Sequence, residues 1–209
     1  MMKLFENDVP DHFISGDEIA IDTETMGLKP HRDRLCVVQL SNKQKDVTLI
    51  QFKDGKFKAP NLVKILNDPK VLKIFHYARF DVATLLHHLP HVDIKNIFCT
   101  KIASHIVRTY TDRHGLKALV RALLNLDLDK SEQTSYWGAP DLTERQKEYA
   151  AADVIHLCRL KDILSSRLKR EGRYEIALEC FDFIQTRAKL DLLFGEEVDV
   201  FSYKLGKTS

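Results

Sequence analysis

The sequence has no apolar run approaching membrane-spanning length, and its opening stretch, Met1-Met2-Lys3-Leu4-Phe5-Glu6-Asn7-Asp8, holds no apolar signal-peptide core. A soluble, cytoplasmic protein with no membrane partner is the expectation. There is no C-x-x-C pair. The four cysteines (Cys36, Cys99, Cys158, Cys180) lie far apart, and the first three sit inside apolar runs that suit small buried side chains. That usage fits a reducing compartment. Charge of one sign is missing too: 32 Lys and Arg against 30 Asp and Glu leave a net charge of +2. Composition therefore does not announce a nucleic-acid binder, and any basic patch has to come from local clustering. With no internal repeat, low-complexity tract or linker, the 209 residues read as one domain with a full core.

What is present is organised around Ile19-Ala20-Ile21-Asp22-Thr23-Glu24-Thr25, an apolar run that ends in two carboxylates. In a strand, residues two apart share a face, so Ala20, Asp22 and Glu24 point one way and Ile19 and Ile21 the other. The acids end the strand just before a turn at Met26-Gly27-Leu28. Side by side they repel unless a positive charge lies between them, and a divalent cation would serve. Alone, the pattern is common, and a strand running out into a polar loop explains it equally well.

Residues 34–41 and 46–52 read as second and third strands joined by a polar turn, which makes an antiparallel meander with the first. Beyond them helix alternates with strand. A short helix at 60–66 has Pro60 in its first turn, and a strand follows at 71–76. A helix at 80–89, a strand at 96–99 and helices at 100–109 and 115–124 come next. Such alternation argues for parallel crossovers, and hence an α/β fold with a mixed sheet flanked by helices. Residues 125–142 lack periodicity and form a long loop of the kind that is functional or mobile. Thr143 and Gln146 make a T-x-x-Q capping box, so a helix starts there and is expected to run to about Arg170. Glu171-Gly172-Arg173 breaks it, and a last helix covers 174–193.

Two further acids stand beside apolar runs. Asp81 follows the strand at 71–76 in the first turn of a helix, where an acid is also favourable for the helix dipole alone. Asp153 shares a helix face with Tyr149, four residues earlier, next to Val154, Ile155 and Leu157. That turn lies near the core, where an unpaired Asp is costly. Asp22, Glu24, Asp81 and Asp153 are expected to converge on a pair of hard cations, magnesium or manganese, because oxygen-only ligands disfavour zinc. Two such ions about 4 Å apart clamp the attacking and leaving oxygens of a phosphodiester displacement. The Tyr149 hydroxyl, one turn from a ligand, is placed to orient the attacking water.

Asp22-Thr23-Glu24, Phe80-Asp81 and Tyr149-x-x-x-Asp153 resemble the three motifs of the DEDDy 3′–5′ exonucleases. Leu142-Thr143-x-x-Gln146-x-x-Tyr149-Ala150-Ala151-Ala152-Asp153-Val154 is similar to the ribonuclease D branch of that family. The stretches 30–40, 73–76, 98–104 and 108–117 resemble its short nano-RNase C (NrnC) type. The resemblance implies an RNase H-like fold, with residues 1–170 as the exonuclease domain and 171–209 as a C-terminal helix and tail of the same domain. That remainder is too short for the helical RNA-binding domains of long ribonuclease D proteins. The resemblance also implies that Asp22 bridges both metals and that Glu24 and Asp153 hold the one carrying the nucleophilic water. Asp81 would support the second metal, and Tyr149 would position the water. An Asn often found upstream of the second-motif Asp is absent, and His76 and Arg79 occupy that neighbourhood.

For the substrate, the nano-RNase C type implies very short RNA, including dinucleotides such as pGpG, degraded by a ring-shaped homo-octamer. Leu28 reads either as a wedge between two bases or as a core plug under its turn. Arg79 is the first choice for a phosphate contact, followed by Lys101, Arg108, Arg113 and His76. His87, His88 and His91 lack metal spacing and read as surface residues. A second reading is a broader exonuclease acting on single-stranded or duplex DNA or structured RNA 3′ ends, since a two-metal site does not itself read the 2′-hydroxyl. A third, a protein that only binds nucleic acid, predicts loss of at least one acid, and all four acids and Tyr149 are present.

Overall fold

β2 (Glu18–Thr25), the strand that ends in the two carboxylates, stands inside a six-stranded sheet, with an antiparallel neighbour on one side and a parallel one on the other. On one side it pairs antiparallel with β3 (Leu35–Ser41), which pairs antiparallel with β4 (Val47–Gln51). On the other it pairs parallel with β5 (Leu72–Phe75), which pairs parallel with β6 (Ile97–Cys99). The computed structural model describes residues 1–13, 16–129, 132 and 134–202. β3 and β4 are buried at every position, which is why they read as continuous apolar runs rather than clean alternation.

The parallel pairing of β2 with β5 positions the site. Because β5 runs parallel to β2, with Ala20 opposite Ile74, their C-terminal ends lie side by side. The helix after β5, α2 (Ala78–His88), therefore starts next to the end of β2 and brings Asp81 there. Ligand sites in α/β sheets gather at carboxyl ends of strands where the strand order reverses, as it does here between β2 and β5.

The helices α1 (Pro60–Asn67), α3 (Thr100–Val107) and α4 (Leu116–Leu124) fall where the sequence places them, and Pro60 opens α1. The capping box at Thr143 is formed in full: Gln146 N–H donates to Thr143 Oγ1 at 3.2 Å, and Thr143 N–H donates to Gln146 Oε1 at 2.9 Å. It starts α5 (Glu144–Val154).

Three features differ from the sequence expectations. β1 (Met2–Glu6) adds an edge strand parallel to β4; it is mostly exposed, so it carries no apolar alternation to announce it. The helix expected to run on to Arg170 is interrupted: α5 stops at Val154, and α6 (Leu157–Arg170) begins two residues later. Ile155 and His156 keep right-handed backbone angles, with no Pro or Gly at the joint, so nothing local marks the break. His88 is not a surface residue. Its Nε2 accepts the Leu35 N–H at 3.2 Å and its Nδ1 is 2.9 Å from the Thr84 carbonyl, so it ties α2 to the start of β3.

Gly172, at φ 67°, turns the chain from α6 into α7 (Tyr174–Phe194) in a conformation costly for any other residue type. α7 packs along α2 and also touches β6, α3 and α6. None of the described helices is long and apolar enough to cross a membrane. All four cysteines are free, three buried and Cys180 exposed.

Candidate active site

At the end of β2, the carboxylates of Asp22 and Glu24 meet that of Asp153 from α5. One oxygen from each lies within 4.8 Å of the others. The sequence expectation of four converging acids is met by three, for Asp81 is not part of this cluster. It is 3% exposed, and its Oδ1 accepts the Thr23 hydroxyl at 2.7 Å. Thr23 lies between Asp22 and Glu24 on β2, so this bond holds Asp81 beside their strand. Burial pushes its carboxyl up to about 7, the Thr23 hydroxyl and nearby backbone N–H groups oppose this, and Asp153 adds to it. All four acids line one cleft of about 510 Å³.

Tyr149 lines the same cleft and is buried. Burial first, then the charges of Asp153 and Glu24, hold its phenol well above the usual range, and its hydroxyl hydrogen-bonds Asp153. The group remains a protonated phenol and acts by hydrogen bonding rather than as a base. Trp137 stands across from it, ring centroids 6.0 Å apart.

The loop carrying Trp137 is strapped at several points. Gln146 Nε2 donates to the Tyr136 carbonyl at 3.2 Å, and Arg34 Nη2 donates to the Gly138 carbonyl at 3.0 Å. Gln51 Nε2 donates to the Ala139 carbonyl at 2.9 Å. Lys130, Ser131 and Gln133 of the expected 125–142 loop lie outside the described residues. Sequence reading missed these straps and Trp137, because each bond joins residues far apart in the chain or involves a backbone carbonyl.

The turn after β2 is built on Asp33. Its carboxylate accepts the Lys29 N–H at 2.9 Å and two bonds from Arg32 at 2.7 and 2.8 Å. The Arg32 guanidinium, helped by Lys29, pulls its carboxyl down to about 2. Gly27 allows this approach: a Cβ there would sit 2.4 Å from Asp33 Oδ2. The turn carries Leu28, which is 74% exposed at the lip of the cleft, so it is no core plug.

Of the residues expected to contact phosphate, only His76 lines the cleft. Thr100 Oγ1 spends its proton on the Phe75 carbonyl at 3.1 Å, so at 2.9 Å it accepts from His76 Nδ1, which carries the hydrogen. Arg79 is held elsewhere, with both of its bonded nitrogens on Asp191 of α7. Lys101 lies over the Tyr77 ring at 3.9 Å. Arg108 is 4% exposed and is consumed internally, donating to Ser104 Oγ at 3.3 Å and the Arg113 carbonyl at 3.0 Å, which rules out an open phosphate contact. Arg113 is exposed and is not among the residues that line the cleft.

Comparison with known proteins identifies the family. Residues 7–169 match the family described as 3′–5′ exonuclease. Ribonuclease D of Gluconacetobacter diazotrophicus is 37% identical over 157 residues, covering 75% of this chain and 39% of the relative. The chain thus spans about two fifths of the length of the curated relatives it matches. Brucella melitensis NrnC superposes with a TM-score of 0.93 at 48% identity, covering 97% of this chain and 99% of that one. The same protein has been solved with bound Mg2+ and bound to pGG. Escherichia coli RNase D, an exoribonuclease involved in structured RNA processing, gives a TM-score of 0.72 at 28% identity over 88% of this chain and 46% of its own. The mixed sheet flanked by helices is the RNase H-like fold of these exonucleases.

Proposed function

This chain belongs to the 3′–5′ exonuclease family, and from that premise we propose that it removes mononucleotides from the 3′ end of very short RNAs, dinucleotides such as pGpG included. The observation that carries the reading is the meeting of Asp22, Glu24 and Asp153 within 4.8 Å, in the cleft that Tyr149 also lines.

The donor set fits a hard divalent cation, since three carboxylates converge with no Cys or His among them. Asp22, Glu24 and Asp153 would hold one ion, and Asp22 with Asp81 a second, magnesium or manganese in either place. When bound, such ions supply Lewis acidity at the scissile phosphate and lower the pKa of the attacking water. Tyr149, fixed by Asp153, orients that water by hydrogen bonding. Leu28 stands at the mouth of the cleft as the wedge against the terminal base, on the turn that Asp33 holds. His76, which hydrogen-bonds Thr100, lines the cleft as a substrate contact.

Short RNA is favoured as the substrate by the likeness, at 48% identity and over nearly the whole chain, to a protein solved with pGG. The proposal includes a homo-octamer, as the motif resemblance to the nano-RNase C type implies, working in the cytoplasm. Time-resolved products from 5′-labelled RNAs of two to seven nucleotides, with the mass of the protein measured in solution, test the reading. Dinucleotides consumed at least as fast as longer RNA are expected. Faster turnover of long RNA or of DNA 3′ ends would replace it with a broader exonuclease.

A further inference from the structure

Every residue of β3 is buried, and all are apolar except Gln39 and Ser41. Gln39 is 0% exposed and, in the register of the β2–β3 pair, stands opposite Asp22. Its Nε2 donates to Glu24 Oε1 at 3.5 Å, a long bond to a charged acceptor. Its Oε1 is buried and meets no hydrogen-bond partner among the described residues. A buried acceptor without a partner is destabilising, so packing alone would favour an apolar side chain of the same size.

Glu24 stands where β2 supports its side chain least. Its own partner across the ladder is Val37, but that of Thr25 is Leu35, so the pairing is irregular just beyond it. Such irregularities re-aim side chains near active sites. A carboxylate that ligates a metal has to be held in one orientation, and hydrogen bonds from outer residues do this. No Lys or Arg is among the described residues that line the cleft. A fixed cation would hold Glu24 by neutralising it, and would compete with the ion that the carboxylate is to bind. A neutral amide holds the carboxylate and leaves its charge whole.

Resting on the exonuclease reading above, we propose that Gln39 is a positioning residue, holding the Glu24 carboxylate in place for the divalent cation that Asp22, Glu24 and Asp153 would share. It acts through Glu24 and is not among the residues that line the cleft. Its removal should therefore alter uptake of the ion rather than binding of RNA.

The test is Gln39→Met, which is close in volume and removes both the donor and the partnerless acceptor. Manganese binding without RNA is followed by calorimetry, beside the magnesium dependence of dinucleotide cleavage and thermal unfolding in chelator. The manganese dissociation constant and the half-saturating magnesium concentration should each rise about tenfold. KM for RNA at saturating magnesium should match wild type, and the unfolding temperature should be unchanged or raised. Unchanged manganese affinity in the folded variant overturns the proposal, with or without a loss of thermal stability. Gln39→Leu decides in the same way if Gln39→Met fails to fold. A wild type that takes up no manganese overturns it as well. Should wild type bind manganese and cleave no RNA, the exonuclease reading fails by itself, and Gln39 is judged on the metal affinities alone.

Discussion

Thr23 donates its hydroxyl proton to Asp81 at 2.7 Å, across 58 positions of sequence. The residue between the two carboxylates of β2 thus holds a further acid of the cleft, which α2 carries there. Removing the hydroxyl leaves Asp81 buried with one donor fewer, a loss on the order of 1–3 kcal/mol for a buried polar group. Thr23→Val should keep the fold and lower kcat about tenfold or more. Steady-state kinetics with a magnesium titration check this, and a kcat equal to wild type would deny Asp81 its place in the reaction.

Tyr149 is held as a protonated phenol, so its removal subtracts an orienting hydrogen bond rather than a base. Tyr149→Phe is expected to cost on the order of 100-fold in kcat with little change in KM. The pH–rate profile should keep its shape. Loss of a limb of that profile in the variant would show that the phenol titrates during turnover.

Gly27 leaves no room for a Cβ beside Asp33. Gly27→Ala should displace the turn that presents Leu28, raising KM for a dinucleotide about tenfold while the carboxylates stay in place. Leu28→Ala should do the same without disturbing the turn, because Leu28 is exposed. A KM unchanged in both variants would remove Leu28 from substrate binding.

Lys73 is fully buried, its ammonium donating to the carbonyls of Asp68 and Val71 at 2.5 and 2.9 Å. Burial pushes its pKa down from 10.5 to about 8, against a weaker pull from Asp68. The folded chain therefore gives up this proton before the unfolded chain does. Its penalty is present in full below pH 8 and fades as pH rises to 10.5. Denaturant unfolding of wild type should gain stability relative to Lys73→Met across that window, by up to about 3 kcal/mol. Parallel pH curves for the two proteins would contradict it.

The meander and the acids at the end of β2 were legible because β-branched runs and a carboxylate pair are local patterns. Asp153 with Tyr149 was legible for the same reason, through helical spacing behind a capping box. The Arg79–Asp191 pair was not, since it joins positions 112 residues apart and turns an expected phosphate contact into a structural latch. Arg108 likewise read as a phosphate contact, and the fold closes over it. The joint at Ile155 and His156 carries no breaker residue, and β1 has too little buried surface to leave a pattern. In each case the deciding partner belongs to a distant part of the chain.

The most direct measurement is the rate of dinucleotide hydrolysis in magnesium by Asp22→Asn beside wild type, with thermal unfolding followed in parallel. Removing one carboxylate charge from the cluster should lower the rate by about 1,000-fold or more while leaving the unfolding temperature unchanged or raised, since like charges are relieved. A variant that hydrolyses as fast as wild type would contradict a reaction carried by these carboxylates.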